Sequence, residues 1–478
     1  MIGRKQEADE LRRLYERNRA ELVAVYGRRR VGKTFLVDEV FAGKFTFRHA
    51  GLSPVEAQAD GMLRAQLDHF YNSLILFGME ACKKPDSWLD AFLLLEKYLQ
   101  KIDDGSRQLV FLDELPWLDT ARSGFITAFE GFWNNWGCHR KNLMVVVCGS
   151  ANSWILDKLI NNHGGLYNRV TYEIKLSPFT LKECEELYKD NGVSFSRYDI
   201  AQSYMILGGI PYYMGYMDGR LSLAQNVDKL FFSKGSKLQN EYDRLFDSVF
   251  VNPDAVKSIV EFLATRNAGY TRKEIIEKQG ASNGGRLSRN LNALIASDFV
   301  TKYVPFGFSK KEEHYKLIDP FCLFYLRFVK DWNRENEKYW QQNVVSQPVS
   351  IWRGFAFENV CFNHIKQIKN RLGISGVSTN ESLWSKKGSE DTEGTQIDLI
   401  IERRDNIVNM CECKFYSDEF TVTRDYHFTL ERRKRILYEI VSRKTAVHST
   451  LITTFGLKRT EHFNDIISTI TLEDLFQK

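Results

Sequence analysis

A chain of 478 residues exceeds what one hydrophobic core serves, so roughly two to four domains are expected. With 43% hydrophobic and 27% charged residues and only 9 prolines, the composition excludes long disordered tracts. No apolar run nears the ~18 residues of a membrane helix, and the polar start Met1-Ile2-Gly3-Arg4-Lys5 is no signal peptide, which predicts a cytoplasmic protein without a membrane partner. A net charge of +5 is too small over this length to name nucleic acid as a partner by itself. The 8 cysteines lack paired metal-ligand spacing and read as reduced thiols; Cys411 and Cys413 have no second pair to complete a zinc site.

Leu22-Val23-Ala24-Val25-Tyr26 has the pattern of a short buried strand, and Phe35 to Phe41 has helical spacing. Between them stands Gly27-Arg28-Arg29-Arg30-Val31-Gly32-Lys33-Thr34, a phosphate-cradling loop. Its glycines let backbone N–H groups face the β- and γ-phosphates of a nucleotide, Lys33 supplies positive charge, and Thr34 is placed to ligate Mg²⁺. A second strand, Gln108 to Leu112, ends in Asp113-Glu114. Asp113 is expected to hold the metal through water, and Glu114 to orient and deprotonate the attacking water. A third strand, Leu143 to Cys148, ends in Gly149-Ser150-Ala151-Asn152-Ser153, at the carboxyl edge where open α/β sheets bind ligands.

These segments, together with Ile2-Gly3-Arg4, Glu7 and Leu11, Leu166-Tyr167-Asn168-Arg169, Leu176-Ser177-Pro178-Phe179 and Gly208-Gly209-Ile210-Pro211-Tyr212-Tyr213, occur in an order that resembles the archaeal-type AAA+ ATPases. The likeness spans about the first 240 residues and implies a P-loop AAA+ α/β core over 1–178 followed by a helical lid and linker over 179–250. It further implies ATP and Mg²⁺ as cofactors, with the nucleotide held by Gly27 to Thr34 and the adjoining Phe35. Gly3 and Arg4 would lie near the adenine, Ser150 or Asn152 would be the polar sensor, and Arg169 would be an arginine finger. Such a finger is commonly supplied across a subunit interface, which implies a homo-oligomer. Asn168 stands where the family usually has glycine, and asparagine also tolerates positive φ. Gly208 to Pro211 reads either as a nucleotide contact of the lid or as a helix-ending turn.

From Asp254 to Lys316, helical patterns over 255–265, 272–278 and 285–297 precede strand patterns over 299–305 and 313–317, the order of a winged helix-turn-helix over 251–320. Ten Lys/Arg against five Asp/Glu between Arg266 and Lys316 make a local excess equal to the net charge of the whole chain. Arg286, Ser288, Arg289, Asn290 and Asn292 are candidates to face DNA from the third helix, with Lys310 and Lys311 on the wing. A linker helix over 321–345 follows.

In the last third, Gln396 to Glu402 and Ile407 to Lys414 are strand patterns joined by Arg403-Arg404-Asp405-Asn406. A hairpin centred on Asp405 puts Asp398 opposite Glu412, and period two puts Lys414 on the same face as Glu412. Two carboxylates suit a hard divalent cation, and a lysine suits activation of water and stabilisation of a phosphorane. Charges within apolar strands are costly unless paired or metal-bound. The arrangement resembles the PD-(D/E)xK nucleases, and the domain fused C-terminally to many archaeal-type ATPases, which implies an α/β restriction-endonuclease-like fold over 346–478. By that resemblance Glu358, in a helical pattern over 352–368, is the acidic residue of the preceding helix. A basic helix over 429–443 carries Arg432, Arg433, Lys434 and Arg435, and a further strand runs over 446–453.

The whole reads as a multidomain α/β protein with an ATPase that controls DNA binding and DNA cleavage. An alternative is a nucleotide-gated DNA-binding regulator whose nuclease-like domain is inactive. A chaperone-like ATPase is disfavoured by the constellation of Asp398, Glu412 and Lys414.

Overall fold

Strand β1, Glu21–Gly27, is buried at every residue, and so is β4, Leu143–Gly149. A strand covered on both faces belongs in the middle of a parallel sheet, which explains why both read as unbroken apolar runs. The computed structural model describes residues 1–478 except 54–60, 151, 161–164, 167, 251, 281–283, 334, 387–394 and 478. The predicted Ala151 and Tyr167, and the side chain of Asn152, therefore lie outside the described residues.

The chain forms two compact units. The first comprises Met1–Pro178, Asp243–Pro253 and Asn292–Asp298; the second comprises Phe179–Tyr242, Asp254–Leu291 and Phe299–Lys478. In the first, β2 (Phe47–Ala50), β3 (Gln108–Asp113) and β5 (Tyr172–Leu176) join β1 and β4 in a parallel sheet of order β2-β3-β4-β1-β5. Strand β4 thus stands between the strand that feeds the phosphate loop and the strand that ends in Asp113. An aromatic layer of Phe70, Trp88, Phe92, Phe125, Phe129 and Phe132 packs on this sheet. Each such ring stabilises by about 1.5–3 kcal/mol through burial.

The second unit begins with the helix Leu181–Asp190, capped by a reciprocal pair between Thr180 and Glu183. Gly208, at φ +70°, ends the helix Arg197–Leu207. Gly208 to Pro211 thus contains the helix-ending turn.

Next come helices Pro253–Ala264, Arg272–Gln279 and Gly284–Ala296, with β6 (Tyr270–Thr271), β7 (Val300–Tyr303) and β8 (His314–Leu317) in a sheet of order β6-β8-β7. Strand β6, only two residues long, has no periodicity for a sequence to reveal.

The last segment holds helices Gln347–Asn363 and Ile365–Arg371 against strands β9 (Thr379–Lys386), β10 (Thr395–Arg403), β11 (Ile407–Lys414), β12 (Ala446–Thr453) and β13 (Ser468–Thr471). Strands β9, β10 and β11 pair antiparallel, and β11, β12 and β13 parallel. The expected continuous helix over 352–368 is corrected to two. Its break at His364 has a tertiary cause, because the ring Nε2 accepts the N–H of Leu181 at 2.9 Å. The basic helix is also corrected, to Arg424–Ile440, because the Thr423 side chain caps its start by accepting from the Tyr426 N–H. Among the described residues no helix is long and apolar enough to cross a membrane.

Candidate functional site

The phosphate loop is built by two constraints on its glycines. A Cβ on Gly27 would meet the Leu176 carbonyl oxygen of β5 at 2.2 Å, so no side chain fits there. Gly32, at φ +91°, caps the helix Lys33–Val40 from a left-handed conformation, with open space where a Cβ would point. Lys33 donates to the carbonyls of Gly27 (2.9 Å) and Arg28 (3.0 Å), so its ammonium lies within the ring of the loop. The Arg29 guanidinium sits 5.9 Å from the centre of the Trp117 ring, and Arg30 takes φ +72°. Arg4 donates to the carbonyls of Ser177 (2.6 Å) and Val31 (3.4 Å), fastening the N-terminal segment to the loop beside Gly3. Phe35 is exposed on the outer side of its helix.

Thr34 Oγ1 donates to Asp113 Oδ2 at 2.9 Å, which brings the two predicted metal-binding groups together. Glu114, held at φ +45°, is embraced by Ser150, whose hydroxyl and backbone N–H donate to its carboxylate at 3.0 and 3.2 Å. Burial and the neighbouring Asp113 push the Glu114 carboxyl above its ordinary range, against the pull of Lys33. Asn168 takes φ +53°, a conformation asparagine tolerates, and Arg169 beside it is exposed. These atoms suit a nucleoside triphosphate with Mg²⁺: hydroxyl and carboxylate oxygens for a hard cation, backbone and ammonium for phosphate.

A second cluster lies in the other unit. Register pairs Leu399 with Cys411, so the next step brings Asp398 level with Glu412, as the hairpin centred on Asp405 requires. Opposite β9, the register shifts between Ile397 and Ile400, so Asp398 lies in a bulge, a device that re-aims a side chain. Asp398 Oδ2 accepts the N–H of Cys413 at 3.0 Å, and Lys414 Nζ stands 3.7 Å from Asp398 and 3.5 Å from Glu412.

Four residues of this cluster escaped the sequence reading of the site. Arg433 Nη1 reaches Glu412 Oε2 at 2.5 Å, and the Tyr426 hydroxyl donates to the same oxygen at 3.1 Å. Asn267 donates to Glu358 Oε2 at 2.5 Å and accepts from the buried Lys316 ammonium, at 2.6 Å on both its backbone carbonyl and its side-chain oxygen. Three carboxylates, Glu358, Asp398 and Glu412, thus face three cations, Lys316, Lys414 and Arg433.

Burial and then Asp398 raise Glu412 to about 7, against Arg433 and Lys414. Burial and Asp398 raise Glu358 as well, while burial lowers Lys316. For Lys414 burial acts downward, yet Asp398 and Glu412 hold it above its usual value. Glu412 Oε1 is buried without a hydrogen-bond partner. An unsatisfied carboxylate oxygen beside a second carboxylate fits a divalent cation. A groove lined by Glu358, Lys414, Arg353, Phe355 and Tyr416 adjoins the cluster.

On the helix Gly284–Ala296, Arg286, Arg289 and Asn292 are exposed, as are Lys310 and Lys311 between β7 and β8. Two residues counted toward this basic face are placed otherwise. Ser288 accepts from Arg272 at 2.8 Å and joins two helices, and Lys316 is buried at the carboxylates.

Residues 1–217 match the model of an ATPase domain family found predominantly in Archaea. An uncharacterised protein of Methanocaldococcus jannaschii is 25% identical over 406 residues, 84% of this chain and 83% of its own length. An uncharacterised ATP-binding protein of the same organism is 44% identical over 43 residues, 9% of this chain and 73% of its own. Among solved structures, a Walker-type ATPase of Pyrococcus abyssi is similar at 17% identity and a TM-score of 0.46, over 69% of this chain and 96% of that one.

Proposed function

We propose that this chain is a Mg²⁺-dependent ATP hydrolase whose nucleotide state governs DNA engagement and phosphodiester cleavage by its second unit. The observation that carries the ATPase reading is the contact of Thr34 with Asp113, beside a lysine enclosed by its own loop. Thr34 and Asp113 would hold Mg²⁺, which would neutralise charge on the phosphates. The loop backbone and Lys33 bind the β- and γ-phosphates, and Glu114 takes the proton of the attacking water once Ser150 releases it. Arg169 serves the nucleotide of a neighbouring copy, so the working form is a homo-oligomer.

We assign residues 251–320 to a winged helix-turn-helix and 346–478 to a PD-(D/E)xK-like domain; the single linker helix expected over 321–345 is corrected to two helical pieces, 320–329 and Tyr339–Asn343, with the described residues between them non-helical. Arg286, Arg289, Lys310 and Lys311 contact DNA phosphates. Glu358, Asp398 and Glu412 would hold a divalent cation, which would activate the scissile phosphate; Lys414 orients water and steadies the developing charge. Support comes from the juxtaposition of Asp398, Glu412 and Lys414 and the unsatisfied Glu412 Oε1.

One observation favours a regulator with an inactive nuclease-like domain: Lys316 and Arg433 already balance the carboxylates that a dication would need. A metal-dependent plasmid-cleavage assay, wild type against Glu412→Ala with and without ATP, separates the two. Nicking lost in the variant supports the nuclease. ATP-dependent DNA binding without nicking in either protein supports the regulator, no ATP hydrolysis with Mg²⁺ sinks the ATP hydrolase, and DNA binding indifferent to ATP sinks the regulator.

A further inference from the structure

After β12 the chain returns His462 and Asp465 to the first turn of the Arg424–Ile440 helix, where His427 stands. His427 Nδ1 lies 3.1 Å from Asp465 Oδ2, and His462 Nδ1 lies 3.4 Å from the same oxygen. The two rings stack at 4.3 Å with 11° between their planes, and one ligand atom from each residue falls within 4.8 Å of the others. A tetrahedral ion bound at about 2.1 Å sets its ligand atoms about 3.4 Å apart, so both measured edges are close to those of a coordination shell.

Two imidazoles that both present Nδ1 to one oxygen while stacked face to face would repel if both were charged. A shared cation gives both nitrogens a reason to converge. His462 Nε2 is buried without a hydrogen-bond partner, and Glu461 Oε1 stands 3.3 Å from it, where metal-bound imidazoles carry an outer carboxylate. The histidines are largely covered, whereas Asp465 is 43% exposed, which leaves a coordination position open to water.

We propose that His427, His462 and Asp465 bind a tetrahedral divalent cation of borderline softness, Zn²⁺ foremost, with Glu461 orienting His462. Two imidazoles exclude Mg²⁺ and Ca²⁺, which take oxygen donors. The ion clips the segment holding Phe463–Asp465 to the start of the Arg424–Ile440 helix. His427 directly follows Tyr426, whose hydroxyl bonds Glu412, so the clip also fixes that hydroxyl. The assignment stands whether or not the carboxylate cluster cleaves DNA.

The test is titration of chelator-stripped full-length protein with Co²⁺ in excess Mg²⁺, which keeps the oxygen-rich sites filled. A single equivalent should give the intense visible d–d bands of tetrahedral Co²⁺, without the sulfur-to-cobalt charge transfer that would mark cysteine ligands, and Zn²⁺ should displace it. Asp465→Asn, at a partly exposed position that does not endanger folding, and His462→Gln should remove the bands, and Glu461→Gln should weaken binding about tenfold. In thermal melts, Zn²⁺ should raise the Tm of wild type but not of Asp465→Asn. A wild type without tetrahedral bands, or bands that Asp465→Asn and His462→Gln leave unchanged, would overturn the assignment.

Discussion

The phosphate loop gathers eight consecutive residues, Gly27 to Thr34, into one turn, whereas the carboxylate cluster gathers Asn267, Lys316, Glu358, Asp398, Glu412 and Arg433 from six separate stretches of chain. In the loop, backbone groups do much of the binding work, and neighbouring side chains adjust it. In the cluster no backbone motif exists, and each charged group is tolerable only because another stands beside it. A local site is therefore robust to substitutions elsewhere, and a distributed one is not.

The largest expected effect exploits that asymmetry. Glu412→Ala takes the buried carboxylate partner from Arg433 and leaves Lys414 with Asp398 alone, and should destabilise the second unit by about 3 kcal/mol in denaturant titrations while ending any nicking. ATP hydrolysis should survive; its loss would mean that the two sites are not independent. Lys33→Ala should do the reverse, lowering the rate of ATP hydrolysis about 100- to 1,000-fold without lowering the denaturation midpoint of the second unit.

Each unit also hides a neutral histidine, and here the comparison predicts sameness. Burial, with His69 adding to it, lowers His49 to about 3, and burial lowers His364 to about 4. Between the unfolded value near 6.5 and these folded values the unfolded chain binds more protons, so stability falls as pH drops through that window. For His364 the loss reaches up to about 3 kcal/mol near pH 4. His364→Gln should flatten the acid limb of the second unit's unfolding curve, and an unchanged limb would refute the cause.

How much of each site could be read in advance follows from the same contrast. The loop was legible because its spacing is fixed within eight residues and flanked by recognisable strand and helix patterns. Asp398 and Glu412 were legible because a hairpin centre fixes register across two strands. Lys316 was not: it entered only as one of the ten cations between Arg266 and Lys316, and nothing local in its strand marks it as buried at the carboxylates. Arg433 was one of four adjacent cations, and only the packing of its helix selects it for Glu412. The break at His364 and the bulge at Asp398 were invisible for the same reason, since both answer to partners distant in sequence.

Lys316→Met tests the charge balance directly. Removing one buried cation beside Glu358 and Asp398 should tighten Mn²⁺ binding about tenfold by calorimetry, and weaker binding would show that the lysine does not compete with a metal. The smallest effect belongs to the exposed face. Arg289→Ala should lower the salt dependence of duplex binding by about one unit of slope, with little change in sequence preference. An unchanged slope would remove that helix from the DNA surface.

The two glycines of the phosphate loop answer to different demands. Gly27 is required by the carbonyl of Leu176 on β5, a demand of the sheet itself. Gly32 faces open space, and alanine there costs only the left-handed backbone, about 1–2 kcal/mol. Any side chain at Gly27 is thus refused by its neighbour in the sheet, whereas at Gly32 it is opposed by the backbone conformation alone.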